Sequence, residues 1–345
     1  MGWNYAMGWL IILPLELTAA GITVGYWSSG INVGVFITIF LALIICINMF
    51  GVRGYGEAEF VFSMIKIIAV VGFIILSIVI DCGGAPSGGY LGATTWRNPG
   101  AFANGFKGVC SVFVTAGFAF SGTELVGLAA AECKDPRQTI PRATKQVFWR
   151  ITIFYLVSLF LIGLIVPYTN PQLLNGTSSV DIKASPFVIA IQSAGISVLP
   201  SIFNAVILIS VLSVGNSSTF GSTRTICALA EIGQAPKIFA HIDERGRPIV
   251  ALLVALAFSG LAYINIAPQV GTTVFNWLVS LSGLSAFFTW YPRSDPINIG
   301  ALFASLTSGL GKHGLFKEIS WMIFHSKPQL ESTVLGWGCS LTFCV

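Results

Sequence analysis

The chain has 345 residues, of which 54% are hydrophobic and 9% are charged, and its mean hydropathy is +0.82. Soluble domains carry about 25% charged residues, so this composition excludes a soluble globular protein and predicts apolar membrane spans joined by short polar connectors. The net charge is only +4 and no basic, aromatic surface is indicated, so we expect no nucleic-acid partner.

Eight segments are long and apolar enough to cross a bilayer. The hydrocarbon core is about 30 Å thick and takes about 20 helical residues to span. An even number of spans places both ends of this core on the same side of the membrane. We therefore predict an all-α, polytopic membrane protein. The predicted spans are residues 7–27, 31–51, 60–80, 108–130, 148–167, 199–230, 249–266 and 272–290.

Basic residues are distributed unequally between the two sets of connectors. Ten Lys and Arg follow the second, fourth and sixth spans, and three lie in the opposite set. Because positive charge concentrates on the cytoplasmic side, the connectors around residues 52–59, 131–147 and 231–248 are predicted to be cytoplasmic. On the opposite side, Asn175 opens an Asn-Gly-Thr sequence and is a candidate glycosylation site, although chance also explains such a sequence.

The fourth span contains FAFSGTELVG (residues 118–127) within an otherwise apolar segment. Small and hydroxyl side chains hold a helix weakly, and a break would expose backbone groups and helix-end dipoles able to bind the carboxylate and ammonium of a zwitterion. The alternative is an unbroken helix that uses these residues for close packing. The candidate substrate-binding residues are Phe118, Ser121, Gly122, Thr123 and Glu124.

Three ionisable residues, Glu16, Lys66 and Glu124, lie within predicted spans. Each costs at least about 2.5 kcal/mol at a helix centre, so a function is the default hypothesis. Lys66 and Glu124 are candidates for proton coupling. Lys66, however, lies only about 10 Å into its span, so the alternative is a side chain that snorkels to the cytoplasmic interface. Glu16 follows Pro14 closely, which is compatible with a locally opened helix or with structural burial.

The sixth span carries a polar stripe. Ser213, Asn216 and Ser217 share one helix face because of their i, i+3 and i+4 spacing. Hydrogen bonding between helices explains this stripe as well as a substrate or proton path does.

No catalytic arrangement is recognisable in the sequence. The three histidines lie outside the spans, and no nucleophile elbow or phosphate-binding loop is present. The seven cysteines have neither metal-site spacing nor a disulfide framework. We therefore expect a protein that is not an enzyme and binds no metal or organic cofactor.

Several longer motifs occur in a collinear order along residues 1–290. They are LPLELTAA (13–20), RGYGEAEFVFSMIKIIAVVGFIIL (53–76), FAFSGTELVGLAAAE (118–132), PRQTIPRATKQVFWRI (136–151), ASPFVIAI (184–191), LSVGNSS (212–218) and VFNWLVSLSGLSAFFTW (274–290). Together they resemble the fungal general amino-acid permeases of the APC superfamily.

This resemblance implies that the eight spans are helices three to ten of a twelve-helix fold with a five-plus-five inverted repeat. Such permeases bind substrate between the unwound middles of helices one and six, and residues 118–124 match helix six. The resemblance further implies import of L-amino acids by proton symport across the plasma membrane, with lipid as the surroundings. The alternatives are an amino-acid-sensing membrane receptor and an inactive truncated gene product.

Residues 291–345 depart from the family pattern. Codons can be chosen for family sequences of the type AHIRFRKAW and LDDIPFQ that, when read one base late, encode LTSGLGKHG (residues 306–314) and WMIFHS (residues 321–326). Because the same shift explains both stretches, we predict a transporter core over residues 1–290 and a frame-shifted, poorly packed tail over residues 291–345.

Overall fold

A computed structural model gives the fold of most of residues 2–290. All secondary-structure elements assigned in the described residues are helices, which confirms the all-α class. The predicted tail lies outside the described residues. The structure describes residues 2–27, 30–86, 89–100, 105–111, 119, 122–123, 125–126, 135–170, 185–244, 246–266 and 271–290.

The α-helices are numbered here in chain order. They are α1 Gly2–Val24, α2 Val33–Met49, α3 Gly51–Asp81, α4 Gly105–Ser111, α5 Pro136–Arg150, α6 Ser158–Ile165, α7 Pro186–Ser193, α8 Leu199–Glu231, α9 Ile249–Ser259 and α10 Gly271–Trp290. Short π-helical segments cover Trp96–Gly100 and Ile151–Val157, and 3₁₀ segments cover Lys237–Ala240 and Gly260–Ile266.

Seven apolar helical segments in the described residues correspond to seven of the eight predicted spans. Four are long enough to cross a membrane, namely α1, α3, α8 and the continuous helical run Arg137–Ile165. Three are shorter, namely α2, residues 249–264 and residues 274–289. The predicted span over residues 108–130 is described only in part.

Two segments that were predicted to be cytoplasmic loops are helical instead. Residues 52–59 belong to α3, which starts at Gly51 and runs for 31 residues. Residues 136–147 belong to α5, whose first residue is Pro136, a favourable position for proline. Both segments are too polar to be predicted as part of a membrane span. A helix can nevertheless extend beyond its apolar residues where its polar side chains face water or other polar groups. Residues 231–248 are mostly irregular, apart from Lys237–Ala240.

Helix α1 is the centre of the bundle. It packs against α8, α10, α2 and α9, and a helix that is apolar on every side is expected to be buried. Leu10, Leu13 and Leu17 are at most 2% exposed and form a core cluster with residues of α2, α8 and α9. By contrast, large apolar side chains of α3 such as Ile68 and Ile75 are 65% and 59% exposed, as expected of a surface that faces lipid.

Helices α1 and α10 approach each other closely at Gly8. The Ser285 hydroxyl donates a hydrogen bond to the Asn4 carbonyl at 2.8 Å, and the Asn4 amide donates to the Ser285 carbonyl at 3.0 Å. A Cβ atom at Gly8 would stand 2.5 Å from Ser285 Oγ. The absence of a side chain at Gly8 therefore permits this pair of hydrogen bonds.

Replacement of Gly8 by valine should separate α1 from α10. Overpacking of this kind costs about 1–3 kcal/mol, so we expect a lower melting temperature of the detergent-solubilised chain. Gly72→Val is the matched control, because no atom of the described residues lies within 4 Å of a Cβ at Gly72. Equal melting temperatures for the two variants would contradict the close approach.

Candidate substrate and proton-coupling site

A polar face of α8 meets a polar face of α3 in the interior of the bundle. Ser213 Oγ donates to Glu59 Oε2 at 2.5 Å, and Asn216 Nδ2 donates to Glu59 Oε1 at 2.8 Å. The hydroxyls of Ser217 and Tyr55 are 3.3 Å apart. The predicted face that Ser213, Asn216 and Ser217 share is thus confirmed, and its contact partner is α3.

Lys66 joins the same group of side chains. Its Nζ donates to Ser213 Oγ at 3.0 Å, so the Ser213 hydroxyl lies between the ammonium of Lys66 and the carboxylate of Glu59. Helical side chains lean toward the helix N-terminus, which brings Lys66 back toward Glu59 seven residues earlier. Lys66 is 3% exposed and Glu59 is 0% exposed, so the lysine ends inside the bundle and does not snorkel to an interface.

Asn48 connects this group to a third helix, α2. Its Nδ2 donates to Asn216 Oδ1 at 2.9 Å and also to the Ile44 carbonyl at 2.9 Å. A carboxylate only accepts hydrogen bonds, so Asn216 must turn its amide nitrogen to Glu59 and its oxygen to Asn48. The orientation of the Glu59 carboxylate is therefore fixed from two sides. We call Asn48, Glu59, Lys66, Ser213 and Asn216 the polar cluster.

Glu59 is the residue of the polar cluster that sequence reasoning assigned to a connector. A signal for its position was present in the spacing: Glu59, Ser63 and Lys66 follow one another at i, i+4 and i+7, and all three are buried in α3. The same stripe begins at Gly51 and Tyr55. Because the flanking sequence is polar, hydrophobicity alone started the predicted span too late.

The predicted helix break at residues 118–124 is confirmed at Gly122 and Thr123, which form a turn. Gly122 has φ of +98°, a value that no right-handed α-helix contains and that favours glycine. The Leu125 N–H donates to the Gly122 carbonyl at 3.1 Å, which closes the turn. Of the other candidate residues, Phe118, Ser121 and Glu124 lie outside the described residues, and so does the glycosylation candidate Asn175.

The broken segment rests on α1 and α8. Leu125 is 2% exposed and belongs to a core cluster with Trp9 and Ile12 of α1. A Cβ at Gly221 of α8 would lie 3.1 Å from Trp9 and 3.2 Å from Leu125. A Cβ at Gly122 would lie 3.4 Å from Trp9. The turn is therefore held against a tryptophan ring and a glycine surface, where backbone groups can approach closely.

Glu16 lies on α1, farther along its contact with α8. It is 8% exposed, and its Cβ is 3.5 Å from the position that a Cβ at Gly215 would occupy. Helix α1 is continuous through Pro14, and the Thr18 hydroxyl donates to the Pro14 carbonyl at 2.8 Å. Glu16 thus reaches α8 beside Asn216, so a buried carboxylate of α1 and the polar cluster approach the same turn of α8.

A family model for amino acid permeases matches residues 1–292. The chain is 58% identical over 291 residues to the general amino-acid permease GAP2 of Candida albicans, with 84% of this chain and 49% of that protein covered. It is 56% identical over 293 residues to the general amino-acid permease GAP1 of Saccharomyces cerevisiae, with 83% and 48% covered.

The amino-acid permease GAP3 of Candida albicans is 49% identical over 314 residues, with 91% of this chain and 51% of that protein covered. The chain spans about half the length of these relatives. The family match includes the helices that carry the polar cluster, the broken segment and Glu16. The chain belongs to the amino acid permease family.

Proposed function

We propose that residues 1–290 are the helical core of a permease that imports L-amino acids by proton symport across the plasma membrane. One observation carries the proposal: an acid and a lysine are buried between membrane helices of an amino acid permease family member. Buried charges of this kind are costly and mark ion or proton pathways in membrane proteins.

The substrate site would lie at the interrupted helix. In this proposal the backbone of Ser121, Gly122 and Thr123 binds the carboxylate of the amino acid, because the N-terminus of a helix attracts anions. Glu124 would attract the ammonium group, and Phe118 would contact the side chain. The support comes from the positive φ of Gly122, because a break in a helix creates helix ends whose dipoles attract the charged groups of a ligand.

Proton coupling would involve Lys66 and Glu124. A lysine in a buried position can exist with or without its proton, and its ammonium form is stabilised here by Ser213. A change in the distance between α3 and α8 during transport would alter that stabilisation. Lys66 could therefore bind a proton in one state of the transporter and release it in another.

The membrane orientation is also a proposal. The basic connectors would face the cytoplasm, so α3 would begin and α8 would end on the cytoplasmic side, and Asn175 would lie outside. In the same reading, residues 291–345 are a frame-shifted tail, supported by the codon shift that two separate stretches share. Transcript reads across residues 285–345 that confirm the present frame would remove this second proposal.

Import can be tested in a full-length chimera. Residues 1–290 replace the corresponding segment of the Saccharomyces cerevisiae relative, which supplies the rest of the permease. We expect yeast cells that lack general amino-acid uptake to accumulate labelled L-amino acids when they express the chimera, and to lose accumulation when an uncoupler is added. The intact relative and an empty vector are the controls. Normal surface expression without uptake, or uptake that the uncoupler does not change, would contradict the proposal.

A further inference from the structure

The polar cluster contains a continuous line of three hydrogen-bonding groups. Lys66 Nζ is 3.0 Å from Ser213 Oγ, and Ser213 Oγ is 2.5 Å from Glu59 Oε2. The lysine donates to the serine and the serine donates to the carboxylate, so both hydrogen bonds run in the same direction. A hydroxyl group accepts one proton while it gives up another, which makes this line suitable for proton transfer.

We propose that Glu59 is the proton acceptor of Lys66. A proton leaves Lys66 Nζ and binds Ser213 Oγ, while the Ser213 hydroxyl proton leaves for Glu59 Oε2. One N–H bond and one O–H bond break and two O–H bonds form, so serine is regenerated. The ammonium and carboxylate become a neutral amine and a neutral carboxylic acid. This inference rests on the proposed symport and adds a residue to its coupling machinery.

The surroundings of Glu59 support an acceptor that is held in place. Asn216 binds the other carboxylate oxygen at 2.8 Å, and Asn48 of α2 holds Asn216 in turn. This arrangement leaves Oε2 directed at Ser213. Among the described residues, Lys66 is the charged group that acts on Glu59, while the contacts from α8 are neutral. The Glu59 carboxylate is thus attracted electrostatically to Lys66, whose proton it would accept.

A small recess lies beside the polar cluster, and in this proposal it receives the proton after Glu59. Its volume is about 20 Å³, and Asn48 and Tyr55 are among the residues that line it. This volume exceeds the roughly 10–15 Å³ that a water molecule needs on this measure. Asn48 contacts Asn216 and Tyr55 contacts Ser217, so the recess begins beside the polar cluster. It lies where α3 begins and α8 ends, on the proposed cytoplasmic side.

We call the path from Lys66 through Ser213 to Glu59 the relay. It predicts a specific defect when the hydroxyl of Ser213, its middle group, is removed. Exchange of external for internal amino acid can proceed with the proton bound throughout, whereas net accumulation requires its release. We therefore expect Ser213→Ala in the chimera to lower the ratio of net uptake to exchange by about tenfold or more. Ser213→Thr keeps the hydroxyl and should restore the ratio. Ser210→Ala is the control, because within the described part of the chain the Ser210 hydroxyl bonds only to the Val206 carbonyl of its own helix.

Removal of the acceptor should have the same effect. Glu59→Gln is expected to lower the ratio as Ser213→Ala does, and the double variant should lose no more than either single variant, because both act on one step. A Ser213→Ala ratio equal to that of Ser210→Ala would refute the relay, and so would additive losses in the double variant. If Glu59→Gln loses exchange and net uptake together, the test is the ratio of net uptake to exchange in Ser213→Ala compared with that in Ser213→Thr. Equal ratios in these two variants would refute the relay.

The relay and the proposed symport fail in different ways. Absence of uncoupler-sensitive uptake in the unmodified chimera would overturn the symport and the relay with it. Normal uncoupler-sensitive uptake with an unchanged ratio in Ser213→Ala would leave the symport standing and would show that the hydrogen bonds from Lys66 through Ser213 to Glu59 have a structural role.

Discussion

Lys66→Met in the full-length chimera should abolish accumulation of amino acids against a gradient while substrate binding remains measurable. Methionine has a similar length but cannot carry a proton, so the substrate gradient would no longer be driven by the proton gradient. The measurement is the ratio of internal to external labelled amino acid at steady state, with binding followed by substrate-dependent thermal stabilisation. Retained concentrative uptake would show that Lys66 has no part in coupling.

The same substitution should also destabilise the bundle, and this effect needs a control. It leaves the buried Glu59 carboxylate without its cation, and breaking a buried pair on one side costs about 3–5 kcal/mol. Glu59→Gln in the Lys66→Met background removes the remaining charge, so we expect the double variant to regain much of the lost thermal stability. It should still fail to accumulate substrate. This comparison separates loss of coupling from loss of folding.

Gly122→Ala should impair transport more than its effect on stability explains. The position has φ of +98°, where an alanine costs about 1–2 kcal/mol. A Cβ there would touch Trp9 at an ordinary contact distance of 3.4 Å, so strain and not a clash is the cause. We expect the turn to shift and the substrate concentration for half-maximal uptake to rise by about tenfold, a change equivalent to about 1.4 kcal/mol of binding energy.

Gly233→Ala is the matched control for this prediction. Gly233 also has a positive φ, +76°, and lies in the connector after α8, but none of the residues that the structure describes has an atom within 4 Å of a Cβ there. Both variants should lose stability to a similar extent, and only Gly122→Ala should change the substrate dependence of uptake. Identical uptake curves for the two variants would mean that the turn does not bind substrate.

Local patterns in the sequence predicted much of the fold but only part of the site. Apolar length located seven described helices, because the hydrophobic signal of a span is contained in the span itself. Helical periodicity placed Ser213, Asn216 and Ser217 on one face, because their spacing along the helix is also a local property of the segment. The predicted start of α3 was wrong, because Glu59 lies in a polar stretch whose burial depends on α8. The substrate-binding and coupling roles stay predictions for all the candidate residues, namely Lys66, Phe118, Ser121, Gly122, Thr123 and Glu124.

The sequence by itself determined that this is an all-α membrane protein, that it is a permease relative, and that its fourth span contains a weak helix. Only the tertiary structure decided that Ser213 stands between Lys66 and Glu59, and that Gly8 admits Ser285. These contacts join residues 147, 154 and more than 270 positions apart. Helix propensity and hydrophobicity act over a few turns, whereas the partner of a buried polar group is set by how whole helices pack.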